Sequence, residues 1–354
     1  MPPVAAVFEG PGQPLSLRPF EDPCPGAGQA VVEISCATLC GSDLHSIRGD
    51  RAVSVPTILG HEMVGRISSL GGDLRDQAGS KLEVGDRVSW SLAASCGTCF
   101  YCQNSLPQKC ESLFKYGHEA LDATHPLSGG LATHCLLATG TSIVKVPPVL
   151  PDEVASPANC ATATVAAAFR VAGPCSGQTV VIHGAGMLGL TAAAMARFEG
   201  ARHVIVSDPR EDRRRRAEQF GADAVTPADL PELTEGRGAD LVIDLSGAPE
   251  AVEEGLGQAR IGGRVILVGS VFPTRALSVR ADEVVRRLLR VEGVHNYTPE
   301  DLLAAFAFLA EVHEQFPFRS LVGASYPLTR IEDAIESALP GKHFRVAVRP
   351  RRDG

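Results

Sequence analysis

No stretch of about 18 uncharged apolar residues, the length a helix needs to cross a bilayer, occurs anywhere in the chain, which excludes a transmembrane helix. The first residues, MPPVAAVFEGPGQP, lack the basic start and long apolar centre of a secretory signal, so a cytoplasmic location is expected. Positive charge is also scarce: 33 Lys and Arg stand against 41 Asp and Glu, a net charge of −8. Nucleic-acid phosphates would be repelled by that balance, which leaves no nucleic-acid partner. The one basic run, Arg213 to Arg216, is interleaved with Glu211, Asp212 and Glu218 and reads as a solvated helix face. Internal repeats and low-complexity segments are missing as well. What remains is a globular composition of 354 residues, 44% hydrophobic and 21% charged, enough for two domains that each bury a core.

The texture of the chain changes once near residue 177 and again near residue 294. Up to about residue 150, short β-rich segments such as QAVVEISCATLC and KLEVGDRVSW alternate with Gly- and Pro-rich turns, the pattern of an irregular antiparallel β domain. From Gly177 the apolar strands TVVIH, HVIVSD, ADLVIDLSG and GGRVILVGS alternate with amphipathic helices, which marks an α/β doubly wound parallel sheet. The last part mixes the helix PEDLLAAFAFLAEVHEQ with a final apolar strand, FRVAVRP.

Ten cysteines are present. Cys96, Cys99, Cys102 and Cys110 fall in a Cys-x2-Cys-x2-Cys-x7-Cys arrangement. Four thiolates close a tetrahedron around zinc and leave no position for water or substrate, so this site is structural. Its spacing lacks the long gap between knuckles of a nucleic-acid zinc ribbon. Cys40, His61 and Cys160 offer a second set, two thiolates and one imidazole with a fourth position open, the ligand type of a zinc that still binds substrate. Cys24, Cys36, Cys135 and Cys175 read as small buried thiols in a reducing compartment.

Gly184, Gly186 and Gly189 form G-x-G-x-x-G directly after TVVIH and at the start of a helix. The first glycine permits the tight turn, the second lets the backbone approach a pyrophosphate, and the third lets helix pack on strand. Met187 and Leu188 complete this loop. Asp208 ends the next strand about 20 residues on, where a carboxylate accepts from both ribose hydroxyls of NAD and repels the extra phosphate of NADP. NAD is therefore expected over NADP, with Arg210 and Arg213 close enough to moderate the preference.

At these residues the chain resembles the zinc-dependent alcohol dehydrogenases of the medium-chain dehydrogenase/reductase family, in order along its whole length: Cys40-Gly41-Ser42-Asp43-Leu44-His45, Gly60-His61-Glu62, the four-cysteine lobe, Cys160 and the glycine loop. The resemblance implies a mostly-β GroES-like catalytic domain at 1–155 and 295–354, with the tail rejoining it, and a Rossmann NAD-binding domain at 156–294. It implies two zincs per chain, one catalytic on Cys40, His61 and Cys160 and one structural. Glu62 matches an acid that coordinates transiently, Ser42 the hydroxyl that touches the alcohol oxygen, and His45 the end of a proton relay through the nicotinamide ribose. Ser246, Val268, Gly269 and Ser270 match strand ends beside the nicotinamide, and Arg345 a basic residue on the pyrophosphate, although strand-end packing accounts for these positions equally well. The reaction implied is hydride transfer between an alcohol, or an aldehyde or ketone in reverse, and NAD(H), in a homodimer or homotetramer. A zinc-free quinone reductase on the same fold has no use for Cys40, His61 and the lobe, and an inactive binding protein has no use for Ser42 and His45.

The substrate is less legible. Lys115-Tyr116-Gly117-His118-Glu119, HPLSGGLATHC and DLHSIRGDR are similar to a subgroup associated with phosphonate metabolism. Lys115, His118, Arg48 and Arg51 would then form a cationic rim for a phosphonate-bearing or other anionic alcohol. A solvated loop serving a neutral polyol, amino alcohol or simple alcohol is the competing reading.

Overall fold

A computed structural model describes residues 2–223 and 226–350. The expected domain limits at 1 and 354 lie outside that range. Contacts divide the chain into two units, one of Met1–Cys160, Thr298–His313 and Phe318–Gly354 and one of Ala161–Tyr297 and Glu314–Pro317.

The first unit begins with β1 (Val4–Phe8), β2 (Ser16–Pro19), β3 (Ala30–Thr38), β4 (Thr57–Ile58), β5 (Glu62–Leu70), β6 (Arg87–Ala94), β7 (Phe114–Lys115), β8 (His134–Leu137) and β9 (Thr141–Lys145). β1, β2 and β4 make a small antiparallel sheet. β3 and β5 pair antiparallel over almost their full length and carry the large sheet, with β6 and β7 beyond β5. Alternation turns Val32, Ile34, Met63, Ile67, Val88 and Trp90 into one core cluster. Tyr116 joins it fully buried, its hydroxyl 2.6 Å from the Thr141 hydroxyl and accepting from the Ala138 amide.

The second unit holds β10 (Thr179–His183), β11 (His203–Ser207), β12 (Ala239–Asp244), β13 (Ala259–Leu267) and β14 (Arg290–Gly293), all parallel, in the order β11-β10-β12-β13-β14. Every residue of β10 is buried, as a strand covered by helices on both faces requires. Strand order reverses at β10, whose neighbours lie on opposite sides, so the switch point of the sheet falls between β10 and β12.

The chain then returns to the large sheet as β15 (Val322–Pro327) and β16 (Arg345–Arg349). β16 runs antiparallel to β3, with Ala347 opposite Thr38, so the tail does rejoin the first unit. The boundaries differ from expectation in three places, the first being the return to the first unit, which comes at Thr298 and not at 295. Ser156–Asn159 packs on β3, β5 and β6 and stays with the first unit, which moves the limit from 155 to Cys160. Glu314–Pro317 goes with the second unit, where Phe316 stacks on Phe220 at 6.3 Å.

Candidate active site and metal centres

Two groups of metal-ligating side chains form among the described residues. In the first, the ligand atoms of Cys40, His61, Glu62 and Cys160 lie within 4.8 Å of one another. Strand register assembles it: β3 ends at Thr38, two residues before Cys40, and Thr38 is paired with Glu62 at the start of β5. Cys40 caps the helix Gly41–Arg48. Cys160 follows the buried turn Ser156–Asn159, which the Asn159 amide holds down by donating to the His61 and Trp90 carbonyls at 2.9 and 2.8 Å.

The surrounding polar groups fix these ligands. Asp43, 1% exposed, accepts from the Cys40 amide at 2.9 Å and the Gly60 amide at 3.2 Å, and one oxygen lies 3.4 Å from Nδ1 of His61. Burial disfavours the His61 imidazolium, but the charges and hydrogen bonds of Asp43 and Cys40 together outweigh it and lift His61 to about 10 in the metal-free protein. A carboxylate behind Nδ1 orients a ligating imidazole and sharpens its basicity at the other nitrogen. Nε2 faces the other way, 3.4 Å from the Ser42 hydroxyl. The Cys160 thiol hydrogen-bonds Cys40 and, with Arg345, holds Cys40 well below the usual thiol range. Cys160 is raised in turn, so the pair loses its first proton readily from Cys40. Two thiolates and one imidazole that a neighbouring carboxylate orients suit zinc.

Glu62 is fully buried. Its carboxylate accepts from the Thr38 hydroxyl at 2.6 Å and three times from Arg345 at 2.7 to 3.0 Å. Burial pushes it up to about 7 although Arg345 pulls the other way. Arg345 thus has different partners from the pyrophosphate expected for it: besides Glu62, its guanidinium donates to the Phe344 carbonyl and lies 3.5 Å from Cys40 Sγ. The β16–β3 pairing forces this, because Leu39 donates to the Val346 carbonyl and carries Arg345 over Cys40. His45, three residues beyond Ser42 on the same helix, points outward and pairs Nδ1 with Asp50 at 3.1 Å.

The cationic rim is smaller than expected. Arg48 is exposed beside Asp50, and burial, with His61 and Lys115 close by, pushes His118 down to about 3, which leaves it neutral. His118 sits with its ring 5.5 Å from that of His61. Burial and the neighbouring Arg51 hold the Lys115 ammonium below its ordinary range. Among the described residues neither the Lys115 ammonium nor the Arg51 guanidinium has a hydrogen-bonded or ion-paired partner, although the Lys115 amide donates to the Glu119 carboxylate at 2.9 Å.

In the second group Cys96, Cys99, Cys102 and Cys110 again lie within 4.8 Å, and all ten cysteines are free of disulfides. The Cys99 amide donates to Cys96 Sγ at 3.3 Å, and the Cys96 and Ser112 amides donate to Cys110 Sγ. Hydrogen bonds from Thr98 and Cys99 bring Cys96 down to about 6. Thiolates so supplied with donors fit a structural zinc.

In the second unit, the glycine loop links β10 to the helix Met187–Phe198. A Cβ on Gly189 would stand 1.7 Å from the Gly184 carbonyl oxygen, whereas one on Gly186 would meet nothing within 4 Å. That leaves an open cradle at a helix N-terminus, which suits a pyrophosphate. Asp208 lies at its side, 7% exposed, accepting from the Ala185 amide at 2.9 Å and the Arg210 amide at 2.9 Å. Arg213 is 3.8 Å from it, Arg210 is paired with Asp212, and Arg214 donates to the Asp208 and Pro209 carbonyls. Ser246, Val268, Gly269 and Ser270 all follow the carboxyl ends of β12 and β13.

Asp43, Thr38 and Asn159 escaped the sequence reading as site residues. Asp43 had a legible signal, an acid at the third helical position after Cys40. Thr38 and Asn159 had none, because their roles depend on the β3–β5 register.

A dinucleotide cradle and a metal set of open type in one chain define a metal-dependent, nucleotide-linked oxidoreductase. Residues 26–148 match the alcohol dehydrogenase GroES-like domain and residues 188–311 the zinc-binding dehydrogenase family. L-threonine 3-dehydrogenase of Thermococcus kodakarensis is 31% identical over 80% of each chain. An alcohol dehydrogenase of Thermotoga maritima superposes with a TM-score of 0.94 at 30% identity, over 99% of this chain and all of that one. A zinc-binding dehydrogenase of Sinorhizobium meliloti 1021, bound to NADP, gives a TM-score of 0.85 at 25% identity over 99% of this chain and all of that one. The chain belongs to the zinc-binding dehydrogenases of the medium-chain dehydrogenase/reductase family, with an α/β fold of GroES-like and Rossmann domains, and is an alcohol-type oxidoreductase. Among the described residues no helix is long and apolar enough to cross a membrane.

Proposed function

We propose that the chain transfers hydride between NAD and an alcohol that carries an anionic group, with a catalytic zinc on Cys40, His61 and Cys160 and a structural zinc on Cys96, Cys99, Cys102 and Cys110. The observation that carries the substrate class is the pair Lys115 and Arg51, whose ammonium and guanidinium have no hydrogen-bonded or ion-paired partner among the described residues; Lys115 lies in the loop whose His118 ring stands 5.5 Å from His61, and Arg51 follows the helix Gly41–Arg48. A partly buried ammonium beside a guanidinium is stabilised by an oxyanion between them. When bound, the catalytic zinc supplies Lewis acidity that lowers the pKa of an alcohol. Ser42 is placed to take the alcohol proton, since its hydroxyl is 3.4 Å from the same His61 nitrogen that faces away from Asp43. His45, one turn along and open to solvent, is suited to release that proton with Asp50 holding its other nitrogen. Glu62 is held back from the other ligands by Arg345 and Thr38, and it shifts toward a metal only if those bonds loosen.

NAD is favoured over NADP because Asp208 stands at the cradle and its neighbouring arginines are engaged: Arg210 on Asp212, Arg214 on backbone carbonyls, and Arg213 beside Asp208 itself. A 2′-phosphate would meet a carboxylate whose flanking arginines are already hydrogen-bonded or paired. Assembly is expected at β14, the outer strand of its sheet, where Arg290, Val291 and Glu292 are all exposed. Antiparallel pairing with a second copy about Val291 sets Arg290 opposite Glu292 of the partner subunit, in two symmetric ion pairs.

Steady-state kinetics tests the reading, with 2-hydroxyethylphosphonate, L-threonine and neutral alcohols of similar size, each with NAD and NADP. The anion-bearing alcohols should show the higher kcat/KM, and Lys115→Ala should lower it for them alone. Equal kcat/KM across charged and neutral alcohols would sink the anionic class, and a higher value with NADP would sink the coenzyme preference.

A further inference from the structure

Asp244 is the last residue of β12, 1% exposed, in the strand that flanks the switch point. No part of the hydride chemistry described above uses it. One of its carboxylate oxygens accepts from the Ser246 amide at 3.0 Å, the Ser246 hydroxyl at 2.6 Å and the Gly247 amide at 3.2 Å, and the other accepts from Gly247 at 3.2 Å. Its main-chain carbonyl accepts from the amides of Val268 and Gly269 at 2.9 and 3.0 Å. A single residue thus gathers the turn after β12 with its side chain and the turn after β13 with its backbone.

Those turns leave no slack. A Cβ on Gly247, whose φ is +71°, would stand 2.4 Å from the Gly269 carbonyl oxygen. A Cβ on Gly269 would stand 2.3 Å from the Gly247 amide, and one on Gly184 3.0 Å from the Ser246 amide. Ser246 in turn accepts from the Ala248 amide at 3.1 Å, at the start of the helix Pro249–Gln258. The three loops that leave β10, β12 and β13 are therefore interlocked at the carboxyl ends of the strands, where ligands of open parallel sheets bind. The pyrophosphate cradle at Gly186 belongs to the first loop, so the rest of a dinucleotide extends over the other two.

We infer that Asp244 is a positioning residue for the nicotinamide half of the coenzyme: its acceptor-only carboxylate, ringed by Ser246 and Gly247 donors, sets the floor of backbone over which that half lies. The inference rests on the dehydrogenase reading above. An asparagine in this place keeps one oxygen for Ser246 but turns an NH2 group toward the Gly247 amide, so donor faces donor. An alanine leaves all four donor contacts without a partner.

The test compares two ligands by equilibrium binding to the full chain: NADH, followed by its fluorescence, and ADP-ribose, which lacks the nicotinamide, followed by competition or calorimetry. Asp244→Asn should weaken NADH by about tenfold and Asp244→Ala by more, as expected for lost bonds to a charged acceptor, while ADP-ribose affinity stays within about twofold. Ser246→Ala should fall between wild type and Asp244→Ala for NADH. If both ligands weaken equally, Asp244 supports the domain and not the nicotinamide end; if neither weakens in the soluble Asn variant, the positioning role is wrong. A wild-type chain that binds neither ligand removes the coenzyme reading and this inference with it, a result distinct from either.

Discussion

Gly186 and Gly189 sit three residues apart in one loop, yet the structure assigns them opposite consequences when each is replaced by alanine. At Gly189 the new methyl would lie 1.7 Å from the Gly184 carbonyl oxygen and 2.8 Å from its carbon. Ordinary contact needs about 1.5 to 2 Å more, and the obstacle is backbone, so the helix Met187–Phe198 must lift from β10. Overpacking of this kind costs about 1–3 kcal/mol, a fall in Tm on the order of 3–10 °C for a domain of this size, and it moves the helix N-terminus that would hold the pyrophosphate. At Gly186 the backbone has φ −75°, open to any residue, and the methyl meets nothing within 4 Å. Gly186→Ala should therefore melt within about 3 °C of wild type, since a helix cap changed from Gly to Ala is worth only about 1 kcal/mol or less. Its methyl nevertheless fills the surface on which the pyrophosphate would rest, and NADH affinity should fall at least about tenfold. Differential scanning calorimetry with NADH fluorescence titration reads both quantities. A Gly186→Ala protein that binds NADH like wild type would show that no pyrophosphate passes there. A Gly189→Ala protein with unchanged Tm would refute the close helix-to-strand contact.

Three further substitutions probe separate parts of the chain. Asp43→Ala removes the carboxylate behind His61 Nδ1 and should weaken the catalytic zinc by about 10–100-fold, so that dialysis against a mild chelator takes metal analysis from two zincs to one; two retained zincs would refute the orienting role. Arg345→Leu leaves the fully buried Glu62 without its three guanidinium bonds. It should destabilise the first unit by about 3–5 kcal/mol, with Arg345→Lys intermediate, and denaturant unfolding that shows no loss would contradict the ion pair. Arg290→Glu sets like charges opposite each other across the proposed β14 pairing and should shift the mass seen by light scattering toward monomer, while Arg290→Glu combined with Glu292→Arg should restore it; a monomeric wild type would remove the interface.

Where chemistry was carried by residue type at close spacing, the sequence was readable. The four-cysteine lobe lies within one short segment, and the structure brings the sulfurs of Cys96, Cys99, Cys102 and Cys110 within 4.8 Å of one another. The glycine loop was readable for the same reason, because strand, turn and helix follow one another and each glycine answers a local demand. Cys160 was the least legible of its set, since it reaches Cys40 across more than a hundred residues and is carried there by the buried turn Ser156–Asn159. The same turn explains the shifted domain limit: apolar and polar contacts to β5 outweigh the proximity in sequence of the helix Ala161–Ala172.

Register was the quantity that no local pattern supplied. Thr38 faces Glu62 because β3 and β5 are antiparallel in that phase, and Arg345 joins them because β16 pairs with the end of β3 on the side opposite β5. A shift of one residue in either pairing would turn Glu62 or Arg345 to the opposite face of the sheet, and the acid would then be buried without its cation. The Glu62–Arg345 pair therefore favours one register of three strands as well as holding Glu62 beside Cys40, His61 and Cys160, which makes a basic residue on the last strand necessary to the fold of the site whether or not a coenzyme is bound. His118 illustrates the reverse case: its residue type suggested a cation, but burial next to His61 and Lys115 leaves it neutral, so the charge available to an anionic alcohol is that of Lys115 and Arg51 alone among the four residues of the expected rim.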